Sequence, residues 1–128
     1  MQVLVVGETP LSIEDVVAVA RQEKSVALPA SAEWRELIQR GADFLDQLLQ
    51  DEGVIYGVTT GYGDSCLVEI PAHQVNELPL HLSRFHGCGL GQNLDLITAR
   101  AVVVTRLCSL ARGYSGVSHA LLERLVWM

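Results

Sequence analysis

The chain reads as mainly α-helical, with one or two short strands, and three observations carry that expectation. Hydrophobic residues make up 49% of the 128 positions, yet only two Phe, two Trp and three Tyr are present, so Leu, Val and Ala dominate. Several stretches place apolar residues at i, i+3, i+4 and i+7, the spacing of one helix face. Between two helical halves lies Val54 to Ser65, which holds Gly57, Gly61 and Gly63. Glycine at that density makes a poor helix and a poor strand, so this stretch reads as a shaped loop.

Taken in order, Gln2 to Val6 is a short apolar run stopped by Gly7 and Pro10, which fits a brief strand. Ser12 and Asp15 have capping-box spacing. Ile13, Val16, Val17 and Ala20 then predict an amphipathic helix to about Gln22. Val26 to Leu28 fits a second short strand before Pro29. Ser31 can cap the clearest helix, with Glu33 and Glu36 suited to its positive end. Trp34, Leu37, Ile38, Gly41, Leu45, Leu48 and Leu49 mark its apolar face. A glycine there costs roughly 1 kcal/mol against Ala, which predicts close approach by another helix at Gly41.

Beyond the loop, Pro71 can open a helix at its first turn. Pro79 should kink or split that pattern, leaving a second piece from about Leu80 to Phe85. Gly87, Gly89 and Gly91 break the chain again. Asn93 can cap a helix reaching about Arg112, apolar around nearly its whole circumference. Such a helix is buried on all sides, so the chain is expected to oligomerise or to belong to a longer one. After the turn Gly113 to Gly116, a last helix runs from about Ser118 to Trp127.

The formal net charge of −6 argues against a nucleic-acid surface. Its distribution is uneven: residues 1–80 carry thirteen acids against four Lys/Arg, and residues 81–128 carry two against five arginines. Those arginines lie in or beside apolar segments without interleaved aromatics, which predicts buried or interface ion pairs. Three cysteines, Cys66, Cys88 and Cys108, give an odd count without C-x-x-C spacing. Reduced thiols and a cytoplasmic setting follow. The start lacks the basic region of a signal peptide. The run Leu94 to Ala111 is interrupted by Asp95, Arg100 and Arg106, so no membrane span is expected.

Two candidate chemistries fail on spacing. Gly87-x-Gly89-x-Gly91 is not G-x-G-x-x-G, since Gln92 stands at the next position, and it follows a helical segment rather than a strand. His73, His81, His86 and Cys88 give no two-plus-two set at zinc spacing, so no metal is expected. A tyrosine needs nearby positive charge or donors before it can act as a base near neutral pH, and composition does not show such a setting around Tyr56.

Three blocks together resemble the aromatic amino acid ammonia-lyases and aminomutases, among them histidine, phenylalanine and tyrosine ammonia-lyases. Tyr56-Gly-Val-Thr-Thr-Gly-Tyr-Gly63 is similar to their Tyr-Gly-x-x-Thr-Gly-Phe-Gly signature. Leu82-Ser-Arg-Phe-His-Gly-Cys-Gly-Leu-Gly91 resembles the stretch where a two-residue selector precedes a Gly-x-Gly turn. Arg100 to Val117 resembles the third block, an Arg-rich helix followed by a Gly-x-Ser-Gly turn. The blocks stand in family order, and the resemblance covers nearly the whole chain.

The resemblance implies the helical N-terminal domain of the ammonia-lyase fold, with a Gly-rich active-site loop. It implies elimination of ammonia from an aromatic L-amino acid to give an arylacrylate. Tyr56 would be the β-proton base on a mobile lid, and Gly63 the glycine lying against substrate. Phe85 and His86 would be the selector pair. Histidine lyases carry Ser-His there, phenylalanine lyases Phe-Leu and some tyrosine lyases His-Leu, so this pair is a hybrid. A buried polar His86 wants a polar partner, which orders substrates as tyrosine, then histidine, then phenylalanine. Pro79 departs from the family, which continues the helix there.

The family electrophile is a methylideneimidazolone (MIO) group made from an Ala-Ser-Gly triplet, and no such triplet occurs in these residues. By resemblance, residues 1–128 are the N-terminal region of such a domain, truncated before the prosthetic-group triplet. The expected partners are the amino acid substrate and either further copies, as in the family's tetramers, or the remaining part of the enzyme. Alone, the chain is expected to be inactive. An aminomutase, or a non-catalytic helical binding or assembly module, stays open beside the lyase.

Overall fold

The computed structural model describes residues 2–51 and 53–128. Five α-helices and one two-stranded sheet occur among them, in the order β1 (Gln2–Val5), α1 (Ile13–Ala20), β2 (Lys24–Ala27), α2 (Ala32–Gln50), α3 (Leu78–His86), α4 (Leu96–Leu110) and α5 (His119–Trp127). The mainly helical expectation holds. The chain divides into two compact units, Met1–Phe44 with Asn93–Met128, and Leu45–Gln92.

The first unit holds the apolar core. β1 and β2 pair in parallel with Gln2 opposite Lys24, and Val6 N–H continues the ladder to Ala27 O. A parallel pair needs a crossover connection, and α1 supplies it. The capping box is present: Ser12 Oγ accepts from Asp15 N–H at 3.1 Å, and Ser12 N–H donates to the Asp15 carboxylate at 3.4 Å. Lys24 Nζ reaches the same carboxylate at 2.7 Å, tying β2 to the start of α1. Those bonds, Lys24 first, hold the Asp15 carboxyl below its usual range. Burial pushes the Cys108 thiol up.

Val6, Trp34, Ile38, Leu107, Leu110, Ala111 and Leu122 form the buried cluster, drawn from β1's end, α2, α4 and α5. The Trp34 indole N–H donates to Ala111 O at 2.9 Å, so the one polar atom of that ring is satisfied in the core. Gly7 fits beside it with φ of 88°; a Cβ there would lie 2.8 Å from Ala111 O.

Several sequence expectations shift. β2 begins at Lys24 rather than Val26, because it pairs residue for residue with β1. Asp95, not Asn93, caps α4: its carboxylate accepts from Thr98 N–H at 2.8 Å and from the Thr98 hydroxyl at 2.9 Å. Gly41 is approached by a turn, not a helix; a Cβ there would meet Gly113 O at 3.2 Å. Pro79 falls in the first turn of α3, where its missing N–H costs nothing, and the preceding piece is a single 3₁₀ turn, Ala72–Gln74.

Helix α4 is not covered on all sides within this chain, as its apolar circumference predicts for a chain this short. Val104, Leu107 and Leu110 are buried, but Leu96, Ile97 and Val102 remain 71%, 51% and 57% exposed in this chain. The arginine ion pairs are also not found among the described residues. Instead Arg124 lies over the Trp127 ring at 4.3 Å, and Arg100 points its guanidinium at Ala20 O, 3.5 Å away. No helix among the described residues is long and apolar enough to cross a membrane.

Candidate active site

All four candidate site residues belong to the second unit, Leu45–Gln92. Its loop is built from hydroxyls and backbone rather than from apolar packing. Val58 and Thr59 N–H both return to Ile55 O, making a tight turn around Tyr56 and Gly57. Thr59 Oγ1 accepts from Ile55 N–H at 2.8 Å and donates to Gly53 O at 3.1 Å. The neighbouring Thr60 is 3% exposed. Its Oγ1 accepts from Gly57 N–H at 3.2 Å and donates to Gly61 O at 3.1 Å. A buried hydroxyl satisfied as both donor and acceptor is a strong local constraint.

The far side of the loop is pinned by a short antiparallel bridge. Thr60 stands opposite Glu69, Gly61 N–H donates to Val68 O at 3.0 Å, and Ile70 N–H donates to Thr59 O at 2.9 Å. A 3₁₀ turn, Gly63–Leu67, joins the two arms. Gly61 needs its lack of a side chain, because a Cβ would sit 2.7 Å from Ser65 O.

This frame brings Tyr56 and Gly63 together. Gly63 N–H donates to Tyr56 Oη at 3.0 Å, across a sequence gap of seven residues. Gly63 has φ of 56°, and the space where its Cβ would project is open. Tyr56 is 64% exposed while its phenol oxygen is held by that bond. The Tyr62 ring meets the Tyr56 ring edge-on, with centroids 6.3 Å apart and planes at 89°.

Phe85 and His86 end α3. Their rings pack on each other with centroids 4.7 Å apart at 52°. Gly87 stops the helix, its N–H donating to Ser83 O at 2.9 Å, and Cys88 Sγ donates to Phe85 O at 2.6 Å. Phe85 is 59% exposed. Among the described residues no hydrogen bond or ring contact joins this pair to Tyr56 and Gly63. No group of three or more His, Cys, Asp or Glu side chains stands together there as a metal site would require.

Thr59, Thr60 and Tyr62 stand inside the Tyr56–Gly63 block, but sequence reasoning gave them no role of their own. The signal was present as two adjacent threonines inside a Gly-rich stretch, a place where hydroxyls can replace missing ladder bonds.

Comparison with known proteins bears on this geometry. Residues 11–128 match the family model described as aromatic amino acid lyase. A histidine ammonia-lyase of Clostridium tetani is 36% identical over 118 residues, covering 92% of this chain and 23% of that protein. The chain therefore spans about a quarter of that relative's length. The tyrosine aminomutase of Streptomyces globisporus superposes with a TM-score of 0.88 at 36% identity, over 99% of this chain and 24% of its own. The phenylalanine aminomutase of Pantoea agglomerans superposes with a TM-score of 0.84 at 28% identity, over 98% and 24%.

Proposed function

The chain belongs to the aromatic amino acid lyase family, and from that premise we propose that it supplies the proton-abstracting side of a carbon–nitrogen lyase site. The substrate is an aromatic L-amino acid, tyrosine or histidine before phenylalanine, and the product an arylacrylate. One observation carries the reading: the Gly63 N–H aimed at Tyr56 Oη at 3.0 Å. A β C–H bond is not acidic in a free amino acid, so its removal needs a positioned base. A donor fixed on the phenol oxygen holds that oxygen in one place, where the proton is to be received. The β C–H bond breaks as an O–H bond forms at Tyr56. The electron pair left behind becomes the C=C bond as the C–N bond breaks, and the nitrogen leaves with the C–N pair as ammonia.

Gly63, bare and open, leaves room for substrate beside that oxygen. Phe85 offers an apolar face to the substrate ring, and His86 a hydrogen-bonding partner for a phenol or imidazole. His86 is exposed in this chain rather than buried, so placing phenylalanine last rests on the selector resemblance: a site closed around a polar partner rejects a substrate that lacks it.

The MIO electrophile of this family activates the amine for departure. These residues do not fit its formation. The single Ser-Gly pair, Ser115-Gly116, follows Tyr114, and Gly116 lies in a turn with φ of 61°. These residues therefore do not supply that group, and this chain by itself is expected to be inactive. In this reading residues 1–128 are one region of a larger ammonia-lyase-like domain working in a reducing, cytoplasmic setting.

A second reading, a helical assembly module, is favoured by the exposed Leu96, Ile97 and Val102 on α4. The same face suits a homo-oligomer in the first reading. A chimera tests both: residues 11–128 replace the matching segment of the Clostridium tetani histidine ammonia-lyase, and arylacrylate absorbance is followed with tyrosine, histidine and phenylalanine. Turnover is expected, and Tyr56→Phe should lower it about 10²- to 10⁴-fold. A folded but inactive chimera favours the assembly module. Turnover unchanged by Tyr56→Phe refutes the base assignment. Ammonia release against β-amino acid formation separates lyase from aminomutase.

A further inference from the structure

The loop contains two Tyr-Gly pairs, Tyr56-Gly57 and Tyr62-Gly63, and each touches the other in both directions. The oxygen of the first tyrosine accepts from the glycine of the second pair. The ring of the second tyrosine lies over the glycine of the first: a Cβ on Gly57 would come 2.7 Å from Tyr62 Cε1 and 3.1 Å from Cδ1. Gly57 also has φ of 72°, and its N–H is held by the buried Thr60 hydroxyl. The two rings meet edge to face.

From this reciprocal contact we infer that Tyr62 is a positioning residue. Its ring, seated on the bare Cα of Gly57, sets where Tyr56 Oη stands relative to the Gly63 N–H. The inference deepens the reading of Tyr56 as the base and rests on it for its catalytic meaning; the geometry itself stands apart. The ring acts, not its hydroxyl, for which no hydrogen-bond partner is found among the described residues. Glycine at 57 has two reasons to be there, the left-handed backbone and the space the ring occupies.

The test uses the 128-residue chain and the amide signal of Gly63 in ¹H–¹⁵N spectra, with its hydrogen-exchange rate. Tyr56→Phe removes the acceptor and gives the signal of a released Gly63 amide. Tyr62→Ala should move the signal toward that position and speed exchange about 2- to 10-fold, the weight of one aromatic pair. Tyr62→Phe should keep the original signal. Gly57→Ala, which keeps both tyrosines but displaces the ring, should reproduce the effect of Tyr62→Ala. The amides of Gly61 and Ile70, bonded to Val68 O and Thr59 O, report whether the frame survives.

A Gly63 signal unmoved in Tyr62→Ala with the frame intact overturns the inference. So does damage in Tyr62→Phe equal to that in Tyr62→Ala, which would move the role to the hydroxyl. If Tyr62→Ala loses the frame, Gly57→Ala decides in the same way. None of these readouts needs turnover, so loss of the base assignment in the chimera and loss of this positioning role are separate results.

Discussion

The two compact units of this chain are ordered by different physics. In the first, Met1–Phe44 with Asn93–Met128, large apolar side chains interlock: Ile38 and Leu107 are 1% exposed and Leu122 is fully buried. In the second, Leu45–Gln92, the buried side chain among the described residues is Thr60, and order comes from threonine hydroxyls, backbone bridges and glycines without room for a Cβ. Apolar burial is strong but non-directional. Hydrogen bonds are individually modest but fix direction. A chain that must hold a phenol oxygen against one N–H has reason to use the second kind of order there.

The largest expected effect is on the packed unit. Leu122→Ala should destabilise it by about 2–5 kcal/mol, the usual cost of a buried Leu deletion. A urea midpoint followed by tryptophan fluorescence reads this through Trp34. Below that transition the Gly61 and Gly63 amides should stay where they are; if they move, the comparison between units fails. Thr60→Val is the complementary change, keeping shape and removing the hydroxyl. Leaving the Gly57 N–H and Gly61 O without their partner should cost about 1–3 kcal/mol locally. Faster amide exchange at Gly57 would show it, with the urea midpoint of the packed unit nearly unmoved.

The smallest effect sharpens the first unit alone. The Asp15 carboxyl is held below its ordinary 3.8, first by Lys24 and then by Ser12. A depressed carboxyl contributes stability that is present above the unfolded value and is lost as pH falls through the folded one. The packed unit should therefore weaken below about pH 4, and Asp15→Asn should flatten that part of its acid limb. Asp95, lowered by its bond from Thr98 N–H, acts in the same direction and remains in the variant. An acid limb identical in Asp15→Asn and the parent would remove the Lys24–Ser12 clamp from the account.

Much of the helical plan was legible because caps and periodicity are local. Ser12 with Asp15 and Ser31 before Trp34 each act within three residues, and each is found bonded as its spacing implies. The misses are not local in that sense. Asn93 and Asp95 are both good cap residues, and only the backbone path chose Asp95. Gly41 announced a close approach, but its partner, the turn at Gly113, is over seventy residues away. The circumference of α4 reads as largely apolar, yet apolarity does not say what covers it.

By itself, the sequence determined the mainly helical class, the position of the Gly-rich loop and, through three blocks in order, the family. Those properties are written in residue types and short spacings. Tertiary structure decided the rest: the parallel register of β1 and β2, the turn that fills the notch at Gly41, and the mutual hold of the two Tyr-Gly pairs. Tyr56 and Gly63 are named by the motif, but a hydrogen bond 3.0 Å long depends on left-handed glycines and a buried threonine acting together. Directional contacts of that kind arise only when the chain has closed on itself.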